Sequence, residues 1–251
     1  MKTVVATLMA AAVLALVAVP AVADWQEGDP YKWYQPPDLT DTGIDIYNVC
    51  PKILADDFLC TDPIPITDVH FWGSWKDDEV GRISMIFLSI HSNVPAGVDS
   101  NYSHPGELLW ADQFGPEEFE VVGPIDSPWE DWLNTNTAEY IPDNHNFAWQ
   151  INIPHIKEPF LQEGTPDRPI IYWLDICVFV EGGEWGWKTS TEQWMDDAVW
   201  SDSLDGPWYP IEHPETGKSL DLAFVITPEP ATLMLITLGG TGLIFRRKKR
   251  K

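Results

Sequence analysis

The side chains in this chain that could do chemistry are 3 cysteines, 6 histidines, 14 tryptophans and a large excess of acids. Cys50 and Cys60 stand ten residues apart, and Cys177 lies inside an apolar run. In a chain bound for an oxidising compartment, as the termini argue below, an even pair closes. The spacing predicts a Cys50–Cys60 disulfide that pins the loop before the first long strand, contributing about 2–3 kcal/mol by loop closure. Cys177 then reads as a small buried hydrophobe. The histidines, at 70, 91, 104, 145, 155 and 213, are scattered singly, with no Cys-x-x-Cys or His-x-x-x-His spacing. That excludes a zinc site by pattern and leaves His70 and His91 as strand residues of the core or sheet surface. No Gly-x-Ser-x-Gly elbow, His-Glu-x-x-His or phosphate-cradling glycine loop is present, so no catalytic residue is assigned and the chain reads as non-enzymatic. A polysaccharide hydrolase needs only two suitably spaced carboxylates, which so acidic a chain supplies trivially.

The acids themselves cluster as Asp56-Asp57, Asp77-Asp78-Glu79, Asp196-Asp197 and Asp202-x-x-Asp205-Gly206. Carboxylates and carbonyls in the loops of a β-sandwich are hard ligands suited to calcium, and Asp196, Asp197, Asp202 and Asp205 are its candidate ligands. None of the groups matches a full calcium loop, and a solvated acidic face explains them as well. No other cofactor is called for. Among the tryptophans, Trp185-Gly186-Trp187 puts two indoles on one face of a strand beside Gly182-Gly183, an arrangement that stacks on sugar rings. Trp129, Trp132 and Trp208 fall in expected loops and join them as glycan-binding candidates. Trp72, Trp75, Trp149, Trp173 and Trp200 fall in strands and fill the core, Trp72 and Trp75 facing opposite sides unless Gly73-Ser74 forms a bulge.

The elements that position these residues are strands. From Asp24 to Thr227 no segment keeps a helical apolar period for three turns, and short apolar runs end at Pro, Gly, Asn and Asp. Expected strands are Ile66–Trp75, Arg82–His91, Leu108–Phe114, Phe119–Val122, Asn146–Ile153, Pro169–Val180, Trp185–Thr189, Ala198–Ser201 and Leu220–Ile226. A short helix is expected at Pro128–Asn134, and Asp24–Asp45 wraps along the surface. Nine strands without intervening helices make an all-β, antiparallel β-sandwich of jelly-roll type. No internal repeat appears, so residues 24–227 form a single domain.

Residues 24–227 hold 38 of the 39 acids and 8 of the 15 bases, a net charge of 8 − 38 = −30. Such a surface repels phosphate backbones and anionic lipid, which excludes a nucleic-acid partner and favours a soluble monomer. The 44% hydrophobic content excludes a disordered chain.

Both ends carry processing signals. Met1-Lys2, the apolar stretch to Val22 and Ala21-Val22-Ala23 have the form signal peptidase reads, with cleavage expected after Ala23. At the other end stand Pro228-Glu229-Pro230, the apolar stretch Ala231–Phe245, and Arg246-Arg247-Lys248-Lys249-Arg250-Lys251. Fifteen apolar residues make about 22 Å of helix, short for a bilayer core of about 30 Å unless snorkelling bases extend it. The basic tail would stay cytoplasmic, leaving the acidic domain outside. This tripartite end resembles the PEP-CTERM sorting signal. The resemblance implies an exosortase of a Gram-negative, exopolysaccharide-making bacterium, transient anchoring in the inner membrane, and removal of the tail on transfer to the cell surface or matrix. The body of the chain resembles an uncharacterised all-β domain of exported bacterial proteins. The residues that carry this are Ala55–Cys60, Asp68–Trp75, Tyr102–Glu107, Trp185–Ser190, Asp196–Trp200 and Ser219–Phe224. That domain has no assigned activity, so it implies location and fold and no chemistry.

The residues thus describe an exported protein of structural or glycan-binding type whose partners are signal peptidase, exosortase and extracellular polysaccharide. A calcium-dependent adhesion module and a polysaccharide-active enzyme are the alternatives. Mass spectrometry of the protein from its native host should find an N-terminus at Asp24 and no peptide from Arg246–Lys251. An intact tail on surface-located protein would defeat the sorting reading.

Overall fold

A computed structural model describes residues 25–228. The expected signal cleavage at Ala23, most of the sorting motif (Glu229 and Pro230), the apolar stretch Ala231–Phe245 and the basic tail lie outside the described residues. Within them the chain is all-β, and no helix is long and apolar enough to cross a membrane.

Thirteen strands form two sheets. The first contains β1 (Trp33–Gln35), β2 (Ile44–Tyr47), β4 (Asp68–Trp75), β7 (Glu120–Asn134), β8 (Glu139–Ile153), β10 (Trp185–Lys188) and β13 (Phe224–Thr227), in the order β1-β13-β4-β10-β2-β7-β8. Because β4 also pairs with β8, the strands β4, β10, β2, β7 and β8 close on themselves into a ring. The second sheet contains β3 (Ile53–Cys60), β5 (Arg82–Val94), β6 (His104–Phe114), β9 (Ile170–Glu181), β11 (Val199–Ser201) and β12 (Tyr209–Pro210), in the order β12-β11-β3-β9-β5-β6. Strand pairing is antiparallel except between β2 and β7.

Strand alternation builds the interior. In β9, Leu174, Ile176 and Val178 face inward, as do Ile86, Leu88 and Ile90 of β5 and Leu54 and Phe58 of β3. They meet Ile44, Ile46, Phe71, Trp187, Phe224 and Ile226 of the first sheet in one shared core, a sandwich. The intervening residues of the second sheet face outward, yet Ile53, Ala55, Trp173, Cys177 and Val199 are covered there by Trp208 and form a smaller cluster. Trp72 and Trp75 take opposite faces: Trp75 lies in the shared core, and Trp72 packs outside it with Trp25 and Val225.

All nine expected strands are present, with shifted ends. Two expectations fail for the same reason. Pro128–Asn134 is not a helix but the second half of β7, and the acidic Asp56-Asp57 lies not in a loop but in the middle of β3. In both places strand pairing overrides what the local composition favours.

The disulfide also differs. Cys50 is bonded to Cys177, with Cα atoms 5.3 Å apart, and Cys60 is a free buried thiol. An eight-residue strand spans about 26 Å, so β3 holds Cys50 and Cys60 at opposite ends, far beyond disulfide reach. The backbone N–H of Cys50 donates to the Val178 carbonyl at 2.9 Å, which sets Cys50 directly beside β9. Cys60 instead faces the shared core and donates from Sγ to the Asp62 carbonyl at 3.0 Å.

Non-reducing peptide mapping should therefore recover a Cys50–Cys177 peptide, with Cys60 alkylated only after unfolding. The bridge closes a loop of 127 residues, so Cys50→Ala should lower stability by about 4–5 kcal/mol on the chain-entropy account. A Cys50–Cys60 peptide would overturn this topology.

Candidate functional site

Three buried polar clusters contain the residue types that do chemistry. The first lies where the first sheet closes into its ring. Register sets Asp45 of β2 opposite Lys188 of β10, and Glu130 of β7 opposite His145 of β8. Lys188 Nζ donates to Asp45 Oδ2 at 2.7 Å and to Glu130 Oε2. His145 Nε2 donates to the same two oxygens, at 2.8 and 3.2 Å. The Ser127 hydroxyl donates to the other Glu130 oxygen, and all four charged side chains are fully buried. Gly186 leaves the room required, because a Cβ there would come within 2.9 Å of Asp45 Cβ and of the Trp132 ring.

Asp45, Glu130 and His145 offer ligand atoms close enough together to hold a metal ion. The Lys188 ammonium already stands between the two carboxylates and neutralises them, so the set is a closed ion cluster rather than a metal centre. Burial opposes charge on Asp45, but Lys188 and the His145 hydrogen bond win and lower its pKa. Burial likewise opposes charge on His145, but its bonds to Asp45 and Glu130 raise its pKa to about 9. Lys188 is raised by the same two carboxylates against the pull of burial.

The second cluster has the composition of a hydrolytic triad. On the outer face of the second sheet, Ser89 and His91 of β5 meet Asp175 of β9, all buried. The wiring differs from that of a hydrolytic triad. A triad histidine takes the serine proton on one ring nitrogen and donates to the carboxylate from the other. Here His91 Nε2 lies 2.9 Å from Asp175 Oδ2, and Nδ1 donates to the Gly106 carbonyl at 3.0 Å. The Ser89 hydroxyl donates to Asp175 Oδ1. Nε2 also lies 3.4 Å from the Ser89 hydroxyl oxygen, so one ring nitrogen faces both the serine and the carboxylate while the other is spent on a backbone carbonyl. Burial disfavours charge on His91, yet Asp175 outweighs it and the pKa is raised.

The third cluster is made of acids alone. Asp56 and Asp57 of β3, Asp221 ahead of β13, and the neighbouring Asp196 and Asp197 interact electrostatically. Asp56 is well served, accepting from Gln35 Nε2 at 2.8 Å, from the Leu222 N–H at 2.6 Å and from the Asp57 N–H at 2.8 Å. Asp57 accepts nothing on either oxygen, and Asp221 Oδ1 is also unpartnered, although both residues are only 1% exposed. Leaving such groups unpaired costs about 1–3 kcal/mol each, more when charged. Burial, then the nearby Asp221 and Asp196 charges, push Asp57 up to about 8. Burial, then Asp197 and Asp196, hold Asp221 at about 7 against the Trp194 hydrogen bond.

The candidates singled out by sequence are placed otherwise. Trp185, Trp187 and Trp132 are 0% exposed and Trp208 is 6% exposed, so none of these four can present a ring to a sugar. The two indoles of Trp185-Gly186-Trp187 do share a strand face, but it is the core face. Trp129 is 59% exposed, at a bulge of β7 where its backbone takes φ +65°. Asp202 pairs at 2.9 Å with Lys52, a buried lysine that also lies over the Trp200 ring. Asp205 is exposed and adds to the field at His91, while Asp196 accepts the Ser103 N–H at 3.1 Å. The four proposed calcium ligands thus do not converge. Asp77 and Asp78 hold Asn144 and Asn146 across to β8. A groove of about 530 Å³ between Asp112–Glu120 and Pro154–Lys157 is lined by Asp112, Glu117, Glu118 and Glu120 together with the largely buried Phe114 and Phe119. Asp45, Glu130, His145 and Lys188 were not singled out in sequence, since they lie up to 143 residues apart and share no local motif.

A C-terminal sorting signal behind a β-sandwich defines an exported, exosortase-processed protein: residues 227–250 match the PEP-CTERM protein-sorting motif. Residues 31–227 match the domain of unknown function DUF7901, and the chain belongs to that family. The two matches meet at Thr227, the last residue of β13. No curated protein and no solved structure matches the chain.

Removing one member of the buried tetrad strands the others, so Lys188→Met should lower stability by about 3–5 kcal/mol in urea unfolding. The raised pKa of His145 stabilises the fold fully below its unfolded value near 6.5, and this contribution, roughly 3 kcal/mol, is lost as pH rises through about 9. Asp57 and Asp221 act in the same sense, their contribution being present below about pH 4 and lost through 7 to 8. Metal-free protein should therefore become less stable as pH rises from 4 to 9, and His145→Gln should flatten the upper part of that profile. A wild-type profile that rises across this range would contradict the assignment.

Proposed function

We propose that the exported domain is a non-catalytic structural module of the cell surface or exopolysaccharide matrix. The observation that carries the reading is how the reactive side chains are used. Ser89, His91 and Asp175, and likewise Asp45, Glu130, His145 and Lys188, are buried and bonded to one another. Their hydrogen bonds and ion pairs join neighbouring strands rather than line a cleft, which is how polar groups serve rigidity. The sorting motif supports a role beyond the cytoplasm, and the Cys50–Cys177 bridge suits an oxidising location.

A glycan-binding reading is carried by Trp129 alone, whose exposed indole on β7 is the remaining platform of the five tryptophans. Fractionation of the native host should place the protein with surface or matrix material, and purified domain should release no reducing ends from that material. Retention of the producer's own polysaccharide by the domain, lost on Trp129→Ala, would replace the structural reading with the glycan-binding one. Release of reducing ends would overturn both in favour of an enzyme.

A further inference from the structure

Lys188 of β10 and Asp45 of β2 stand directly opposite each other, and both are wholly buried. Lys188 Nζ donates to Asp45 Oδ2 at 2.7 Å and to Glu130 Oε2. One oxygen or nitrogen each from Asp45, Glu130 and His145 lie within 4.8 Å of one another, so the four side chains share one small space. Lys52, the other wholly buried lysine, pairs instead with the exposed Asp202 and, among the described residues, with no second acid.

The arrangement around Asp45 is more one-sided than charge neutralisation requires. Its Oδ2 takes both cations, Lys188 at 2.7 Å and His145 at 2.8 Å, while Oδ1 is buried without a partner. A stranded oxygen is costly on a carboxylate and much less so on a neutral amide carbonyl. Glu130 stands beside the amine, and the Ser127 hydroxyl holds its other oxygen so that Oε2 stays on Nζ. His145, its pKa raised to about 9, carries a proton to Oδ2 at neutral pH. An amine, a base on that amine, a carboxyl carbon and an acid on one of its oxygens are thus held together.

We propose that Lys188 and Asp45 condense to an isopeptide bond, with Glu130 taking the proton of the amine and His145 supplying one to the departing oxygen. Glu130 Oε2 first accepts a proton from the Lys188 ammonium, and the freed lone pair forms the Nζ–Cγ bond at Asp45. The Cγ–Oδ2 bond then breaks. Oδ2 leaves as water with one proton from His145 and the one held by Glu130, and the second proton lost by Nζ returns through Glu130 to His145. Nothing is oxidised or reduced and no co-reactant is needed. The ion pair is the resting form, since Asp45 is lowered and Lys188 raised, so the reaction is slow and happens once. Holding the two groups together is worth an effective concentration of about 10⁵–10⁸ M, and a dry interior favours the loss of two buried charges and of the water formed. One cation and one anion disappear together, leaving His145 paired with Glu130 at 3.2 Å. The bond would tie the short strand β2 to β10 across 143 residues and enclose the loop of the Cys50–Cys177 bridge. It does not depend on the structural reading above.

The test is mass spectrometry of the protein from its native host after reduction, alkylation and denaturation. The mature chain should be lighter than its sequence by one water, and digestion should leave the peptides carrying Asp45 and Lys188 joined. Reduction comes first because the Cys50–Cys177 bridge joins neighbouring stretches of chain. Wild-type protein at full mass would overturn the proposal. So would water lost without joined peptides, as from a succinimide at Asp205-Gly206, or a link from Lys188 to Glu130 instead. Glu130→Gln keeps the size of the side chain and removes the base, so the link should form about 10²–10⁴-fold more slowly. A Glu130→Gln protein with the far-UV spectrum of wild type that links as fast would overturn the role of Glu130. Should that variant fail to fold, the wild-type mass still decides the bond, and His145→Gln should slow its formation; linking at the wild-type rate would overturn the role of His145.

Discussion

The closure of the first sheet depends on Lys188. Its ammonium stands in a dry interior between Asp45 and Glu130, and His145 closes the set from β8. Two carboxylates brought together there without cations would repel and stay unsolvated, so the meeting of β2, β7 and β8 is compensated by Lys188 from β10 together with His145. The pairing is specific in register: sliding β10 by one residue against β2 would turn Lys188 out and place Trp187 against Asp45. The close approach also needs Gly186, since a side chain there meets both Asp45 and Trp132. A buried ion cluster adds little net stability compared with an apolar one, but it selects one strand arrangement from several.

The second sheet is organised by a different necessity. Its outer face is as apolar as its inner face at Trp173, Cys177, Ala55 and Val199, so it cannot face water. Long loops fold over it and bring Trp208, Tyr102 and Leu204 into contact. Loops make few ladder hydrogen bonds, and here specific fastenings replace them: Cys50–Cys177, the Tyr102 hydroxyl donating to the Trp208 carbonyl at 2.6 Å, and Ser103 on Asp196. The Ser89–His91–Asp175 network sits under this cover and satisfies polar groups that the sheet would otherwise leave stranded.

How much of this was legible in the sequence follows from the range of each signal. Strand existence is local: turn residues bracket apolar runs, and all nine expected strands are found. Strand β3 escaped because Asp56-Asp57 interrupts its apolar pattern, although Ile53-Leu54-Ala55 and Phe58-Leu59-Cys60 flank it. Period two told that Trp185 and Trp187 share a face, but not which face, because that depends on β13 and β4 packing around them. The disulfide was misjudged since sequence proximity of Cys50 and Cys60 ignores the rigid strand between them. The tetrad was illegible because it is assembled from single residues of strands that meet only in the finished fold.

The distribution of the few bases has a consequence for the surface. Of the eight lysines and arginines in residues 24–227, Lys32, Lys52, Lys76, Arg82, Lys157 and Lys188 are already in ion pairs with acids of the same molecule. Lys52 and Lys188 are wholly buried, so they contribute nothing to the outer field that their partners do not cancel. What faces water is therefore more uniformly negative than the composition alone suggests. Two copies of the domain repel, as do the domain and any anionic polymer, over roughly 8–10 Å at physiological salt. Attraction between such partners cannot come from a basic patch. It has to come from apolar contact at sites such as Trp129, or from cations held between carboxylates exposed on both partners.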